Sequence, residues 1–157
     1  MRKEHVSVKS MWIKYLKTIG ESIQTTDKEY TAWHFDITEK SANNLAKLVL
    51  SGQKRATAAS LWVEKHDHGV IPKVGDHSII TNWDGIAKCI IQTTSIDIVP
   101  YNQVTEGFVK VEGEGDQSLK YWRQVHEAYY RKECARIGME FNENMPVICE
   151  IFRVVFS

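Results

Sequence analysis

Two stretches of the chain put reactive side chains where neither a plain core nor a plain surface calls for them. The first is Ser51-Gly52-Gln53-Lys54-Arg55-Ala56-Thr57, in which two cations precede a run of small residues. Residues three apart on a straight strand face opposite sides, so Lys54 and Thr57 converge only where the backbone bends between them. Gly52 can take a positive φ and supply a sharp turn after a helix. An amine brought next to a hydroxyl is equipment for nucleophilic catalysis, the amine taking a proton or holding a negative oxygen. The plainer alternative is that Lys54 and Arg55 only complement the negative C-terminal end of the preceding helix.

The second stretch, Glu112-Gly113-Glu114-Gly115-Asp116, interleaves three carboxylates with two glycines. Asp116 reads as an N-cap and Glu114 as its loose companion near the helix dipole. Glu112 fits that reading less well, because it closes a helix instead of opening one. The His66-Asp67-His68 cluster has no third ligand at metal spacing, so it reads as a polar loop, and neither a metal nor a cofactor is expected. Cys89, Cys134 and Cys149 are far apart and set among apolar residues, which suits reduced buried thiols.

The elements that must position these groups follow from periodicity. Val8, Met11, Trp12, Tyr15, Leu16 and Ile19 align on one helical face, and Gly20 stops the helix. Glu21 to Lys28 is a polar connection. A second helix opens at Thr38 and runs through Ala42, Leu45, Leu48 and Val49 to Gly52. The run Ala56 to Val63 suits a strand in a crowded place. His77–Trp83 and Ile86–Val99 form a hairpin about Asp84-Gly85. A short helix over Tyr101–Val111 and a long one from Asp116 or Ser118 to Gly138 precede a closing apolar strand, Val147–Phe156.

The 157 residues suit one domain, 1–157, with residues 1–30 as a first helix and loop and 31–157 as the core. Twenty basic and twenty acidic side chains cancel, so bulk charge implies no broad basic field for duplex nucleic acid. Met1 to Lys9 is followed by no apolar signal core, and no run approaches the roughly 18 apolar residues of a membrane span. A cytoplasmic protein without a membrane partner is expected.

The order of helix, Gly-x-Lys-x-x-Thr junction, strand, Val-Gly-Asp turn, long hairpin, Val-Thr-Glu helix, Glu-Gly-Glu-Gly-Asp run, Tyr-Trp helix and closing strand resembles the ASCH domain in its longer bacterial form. The resemblance runs from about Trp33 to Phe156 and is most specific at residues 52–57 and 112–119. It implies an α+β fold, a PUA-like, partly closed β-barrel with helices packed over its openings. A small bacterial relative removes acetyl from cytidine acetylated on its exocyclic amine, using a Lys, Thr and Glu trio. By resemblance that trio falls on Lys54, Thr57 and, by way of Thr105 and Glu106, Glu112. Other members of the family cut or bind RNA. This chain departs from the small relative in its added first helix, its longer helix after Asp116, and Ala59 where the relative has an arginine.

The leading expectation is therefore hydrolysis of an amide on a modified nucleoside. Thr57 supplies the attacking oxygen, Lys54 takes its proton, and Glu112 orients Lys54 or passes the proton to the leaving amine. A tight, ionised Lys54–Glu112 pair would suit Lys54 to holding a carbonyl oxygen or phosphate instead. The alternative is a module that binds single-stranded RNA without chemistry. Arg55 and Lys73 would then join Lys54 on phosphate while Trp62, Trp83 or Tyr121 stacks on a base. A ribonuclease ranks behind both, since no histidine pair for acid and base catalysis is evident.

Overall fold

The computed structural model describes residues 3–157; Met1 and Arg2, at the start of the expected domain, lie outside them. Helix α1 spans Val6–Thr18, buries Val8, Trp12, Tyr15 and Leu16, and ends before Gly20 at φ 76°. Those side chains pack on Ile79 and Ile90 of the sheet, so the aromatic stripe is a packing face. Helix α2, Glu39–Leu50, is capped by Thr38, whose hydroxyl accepts from the Ser41 amide at 3.3 Å. These two helices and the hairpin lie where the apolar spacing puts them.

Five strands form the sheet: β1 (Tyr30–Trp33), β2 (Ala56–Ser60), β3 (His77–Thr81), β4 (Ala87–Pro100) and β5 (Pro146–Phe156). Their order is β1-β3-β4-β5-β2, with β1 parallel to β3 and the remaining pairs antiparallel. The architecture is α+β with a mixed sheet whose ladder is open, β1 and β2 being its two edges. Val147 and Cys149 of β5 join Ala58, Tyr101, Trp122, Tyr130 and Phe141 in one core, whereas Phe152 joins Phe35, Val49, Ile80 and Ile91 in another.

Three expectations need correction. The apolar run after Ala56 leaves the sheet early: Ser60 caps a new helix, α3 (Leu61–His68), its hydroxyl accepting from the Val63 amide, so Trp62 and the His66-Asp67-His68 cluster are helical. A hydroxyl at the right place outweighs the β-branching of one valine. The segment Tyr101–Val111 is split into a 3-10 turn (Tyr101–Gln103) and α4 (Glu106–Glu112), because Thr105 caps the second piece. The cap of the long helix α5 (Leu119–Arg136) is Ser118, while Asp116 accepts a bond from the Ser118 amide in the turn before it.

The outer edge of β2 matters for the site. Two carbonyls that would face water there are taken by side chains: Lys54 Nζ donates to Ala56 O at 2.7 Å, and the Tyr130 hydroxyl donates to Ala58 O at 2.9 Å. Among the described residues no helix is long and apolar enough to cross a membrane.

Candidate active site

The junction between α2 and β2 is built around Gly52, which sits at φ 79° and lets the chain reverse so that Lys54 turns inward. Three backbone ties then hold it: Lys54 N donates to Leu48 O at 3.0 Å, Arg55 N to Val111 O at 2.9 Å, and Phe152 N to Arg55 O at 3.0 Å. The second of these joins the junction directly to α4, the helix that ends in Glu112. Gln53 adds another tie, its amide donating to Gly113 O at 2.8 Å. Gly113 has φ 73°, and a Cβ there would collide with the carbonyl of Gln53. A Cβ on Gly115 would collide with the Tyr121 ring. The glycines of the carboxylate run are thus what allow it to lie flat between the lysine junction and α5.

Through this docking Lys54 Nζ comes 3.7 Å from Glu112 Oε1 and 3.5 Å from Glu114 Oε2. Both Lys54 and Glu112 are 1% exposed, so the pair is buried. The Phe35 ring lies 5.2 Å from the amine, close enough for a cation–π contact. The structure therefore gives Lys54 a far more enclosed place than the complement of a helix end requires.

Two residues of α5, four apart and so on one face, complete the cluster. The Trp122 indole N–H donates to Glu112 Oε2. His126 Nε2 lies 3.2 Å from Glu112 Oε1, and its Nδ1 lies 2.9 Å from Trp122 O. The two rings stack at 4.2 Å. His126 was absent from the sequence expectations; its spacing from Trp122 was the available signal.

The two carboxyls are driven apart. Burial pushes Glu112 up, but the His126 hydrogen bond and the charge of Lys54 outweigh it and hold the group at about 2. Burial pushes Glu114 up to about 7 against the pull of Lys54, and the negative charge and contact of Glu112 push the same way. Displacing neighbouring carboxyls in opposite directions is one arrangement from which a site can move protons, and buried ion-pair networks produce it as well.

Glu112, Glu114, Tyr121, Trp122 and His126, with Val109 and Val125, line a pocket of about 30 Å³. Glu114 is 22% exposed through its side chain and lines that opening, whereas Lys54, in contact with both carboxyls, is not part of its lining. Ligand atoms of Glu112, Glu114 and His126 lie within 4.8 Å of one another, a grouping that could hold a cation. The Lys54 ammonium already supplies positive charge between the carboxylates, and a dication there would face it at close range.

The remaining expected residues are dispersed. Thr57 is half-buried on β2 opposite Glu150 of β5, and its hydroxyl makes no hydrogen bond to Lys54 or Glu112. Glu150 accepts from the Thr93 hydroxyl at 2.6 Å, and burial pushes its carboxyl up. Tyr121 is at the pocket rim, 39% exposed. Arg55 is exposed and lines, together with Lys54, Leu50, Gly52, Arg153 and Val154, a wider groove of about 260 Å³. Trp62 packs against the core beneath α5, and Trp83 lies against His34 with its amide donating to Asn43. Neither tryptophan lines the pocket. His66 and Asp67 are engaged with each other, and Arg136 binds Asp67 through two contacts of 3.1 and 2.6 Å.

The fold is similar to that of an ASCH domain from Lactobacillus crispatus: TM-score 0.89 at 34% identity, covering 100% of this chain and 99% of that one. A structure from Enterococcus faecalis is similar at TM-score 0.83 and 31% identity, with 96% of this chain and 88% of that one covered. No curated protein matches the chain. The family model of the ASCH domain matches residues 31–156, from the strand β1 to the last residue of β5. The chain belongs to the ASCH domain family.

Proposed function

We propose that this protein is a hydrolase of acylated nucleosides, acting on an amide such as that of acetylcytidine. The observation that carries the reading is the buried Lys54 amine held at 3.7 and 3.5 Å from two carboxyls that themselves line a small pocket. A cation fixed in a site of low dielectric suits a developing oxyanion and needs no reorganisation as charge forms. Ion-paired to two carboxylates and bonded to Ala56 O, Lys54 is better placed for that role than for taking a proton. The attacking oxygen is assigned to Thr57 by the family resemblance alone, its hydroxyl being no part of the pocket lining, and Glu112, tied by Trp122 and His126, fixes Lys54. The pocket has roughly twice the space one water needs, which suits the carbonyl and methyl of an acetyl group. The nucleoside would remain outside, against Tyr121.

In this reading the register shifts of β4 against β5, at Ile90/Ile91 and Thr93/Ser95, are where the strand would bend for a PUA-like partial barrel. The protein then works as a single cytoplasmic domain. The test is release of acetate from acetylcytidine by the wild type and by Lys54→Ala, Thr57→Ala and Glu112→Gln. Each variant is expected to lose at least about a hundredfold in kcat/KM. Unchanged turnover in all three would remove the assignment.

A second reading has its own observation. The groove on the far side of Gly52 exposes Arg55 and carries Arg153 nearby, a pair of guanidiniums suited to phosphate. Single-stranded RNA held there would dissociate steeply with added salt, whereas turnover of an uncharged nucleoside amide would hardly respond.

A further inference from the structure

We propose that Glu114, and not Glu112, is the carboxyl that exchanges protons with the substrate, Glu112 being a fixed positioning residue. The inference rests on the hydrolase reading above and concerns the same site. Its grounds are geometric. Glu112 is 1% exposed, and both its oxygens are engaged, Oε2 by the Trp122 indole and Oε1 by His126 and Lys54. Although Glu112 also borders the pocket, three partners and near-complete burial leave it little to offer a substrate.

Glu114 differs on each point. It touches Lys54 at 3.5 Å and Glu112, its side chain is 22% exposed, and it lines the pocket with Tyr121 and His126. The charged and titratable groups that face it are Lys54 from the α2–β2 junction, Glu112 from α4, and His126 and Tyr121 from α5. Burial and the neighbouring Glu112 hold its carboxyl at about 7, where it can both accept and return a proton. Gly113 and Gly115 fix the backbone on either side of it, so the loop presents this one side chain in a set place.

As the attacking oxygen, assigned above to Thr57 by resemblance, bonds to the acyl carbon, its proton passes to the Glu114 carboxylate. As the C–N bond breaks, Glu114 gives that proton to the departing nitrogen. Water then adds its oxygen to the acyl carbon and its proton to Glu114. The bond to Thr57 breaks, the proton returns to the threonine oxygen, and the carboxylic acid leaves. Glu114 ends each half as the carboxylate it began as.

Two measurements on the intact protein test this. In the first, kcat/KM for acetylcytidine is followed against pH. The wild type should rise about tenfold per pH unit up to about 7 and then level. Glu114→Gln should lose about a hundredfold or more in kcat with KM little changed and no limb near 7, and Glu114→Asp should recover part of the rate. A Glu114→Gln enzyme within about threefold of wild type, with the limb in place, would overturn the proposal. In the second, the glutamate side-chain carboxyls are labelled with carbon-13 and titrated by NMR. One resonance with a midpoint near 7 should vanish in Glu114→Gln; its survival there would place the proton elsewhere, for example on Glu150, which burial also raises. A wild type that releases no acetate would sink the hydrolase reading, and the resonance would still decide where the proton sits.

Discussion

At the scale of single residues, the site is an exchange of support between one amine and two acids. Lys54 is fully enclosed, so its removal leaves Glu112 buried beside a missing cation and Ala56 O without its donor. Breaking a buried pair from one side costs about 3–5 kcal/mol. Lys54→Ala is therefore expected to lower unfolding free energy by that amount in urea titrations. Adding Glu112→Gln to it should return part of the loss, since the uncompensated charge is gone. Additive losses in the double variant would mean that the two groups do not depend on each other. Residue types told part of this in advance: Lys54 and Glu112 stood out as unexplained by a plain surface. His126 did not, because its partner is fourteen positions earlier and only the docking of α4 against α5 brings them together.

At the scale of elements, the carboxylate run works because its glycines lack side chains. Gly52, Gly113 and Gly138 all have positive φ, at 79°, 73° and 76°, yet a Cβ at Gly52 or Gly138 meets nothing, whereas at Gly113 it strikes Gln53. Alanine at Gly138 should then cost only the left-handed strain of about 1–2 kcal/mol. Gly113→Ala should cost clearly more and pull Glu114 away from Lys54. Denaturation midpoints of the two variants check this; equal losses would show that backbone conformation alone matters. Capped helices and the hairpin were legible, since Thr38, Gly20 and Asp84-Gly85 carry local signals. Strand β1 was not, being four residues long with no alternation of burial and a parallel partner far along the chain. The early end of β2 was missed because Ser60 was read as a small strand residue and not as a cap.

At the scale of the whole molecule, the two acids make stability depend on pH in opposite senses. Glu112 sits at about 2, below its ordinary 4.5, so its contribution is present above 4.5 and is lost as pH falls through 2. Glu114 sits at about 7, so its contribution is present below 4.5 and is lost as pH rises through 7. Glu114→Gln keeps the neutral shape at every pH. Relative to wild type it should gain on the order of 2–3 kcal/mol between pH 4.5 and 8, read from urea midpoints at both values. A constant difference between the two proteins would show that the carboxyl is not displaced. The side-chain donors along the rim of β2 carry a last implication. That rim is where another chain could add a strand, and the amine of residue 54 and the phenol of residue 130 keep it shut. A lineage that abandoned the chemistry by dropping the lysine would uncover one of those acceptors and become prone to polymerise, which light scattering of Lys54→Ala would reveal. On the hydrolase reading, colloidal safety and reactivity would then be carried by one atom, and that coupling would preserve the lysine even in a descendant with no substrate left.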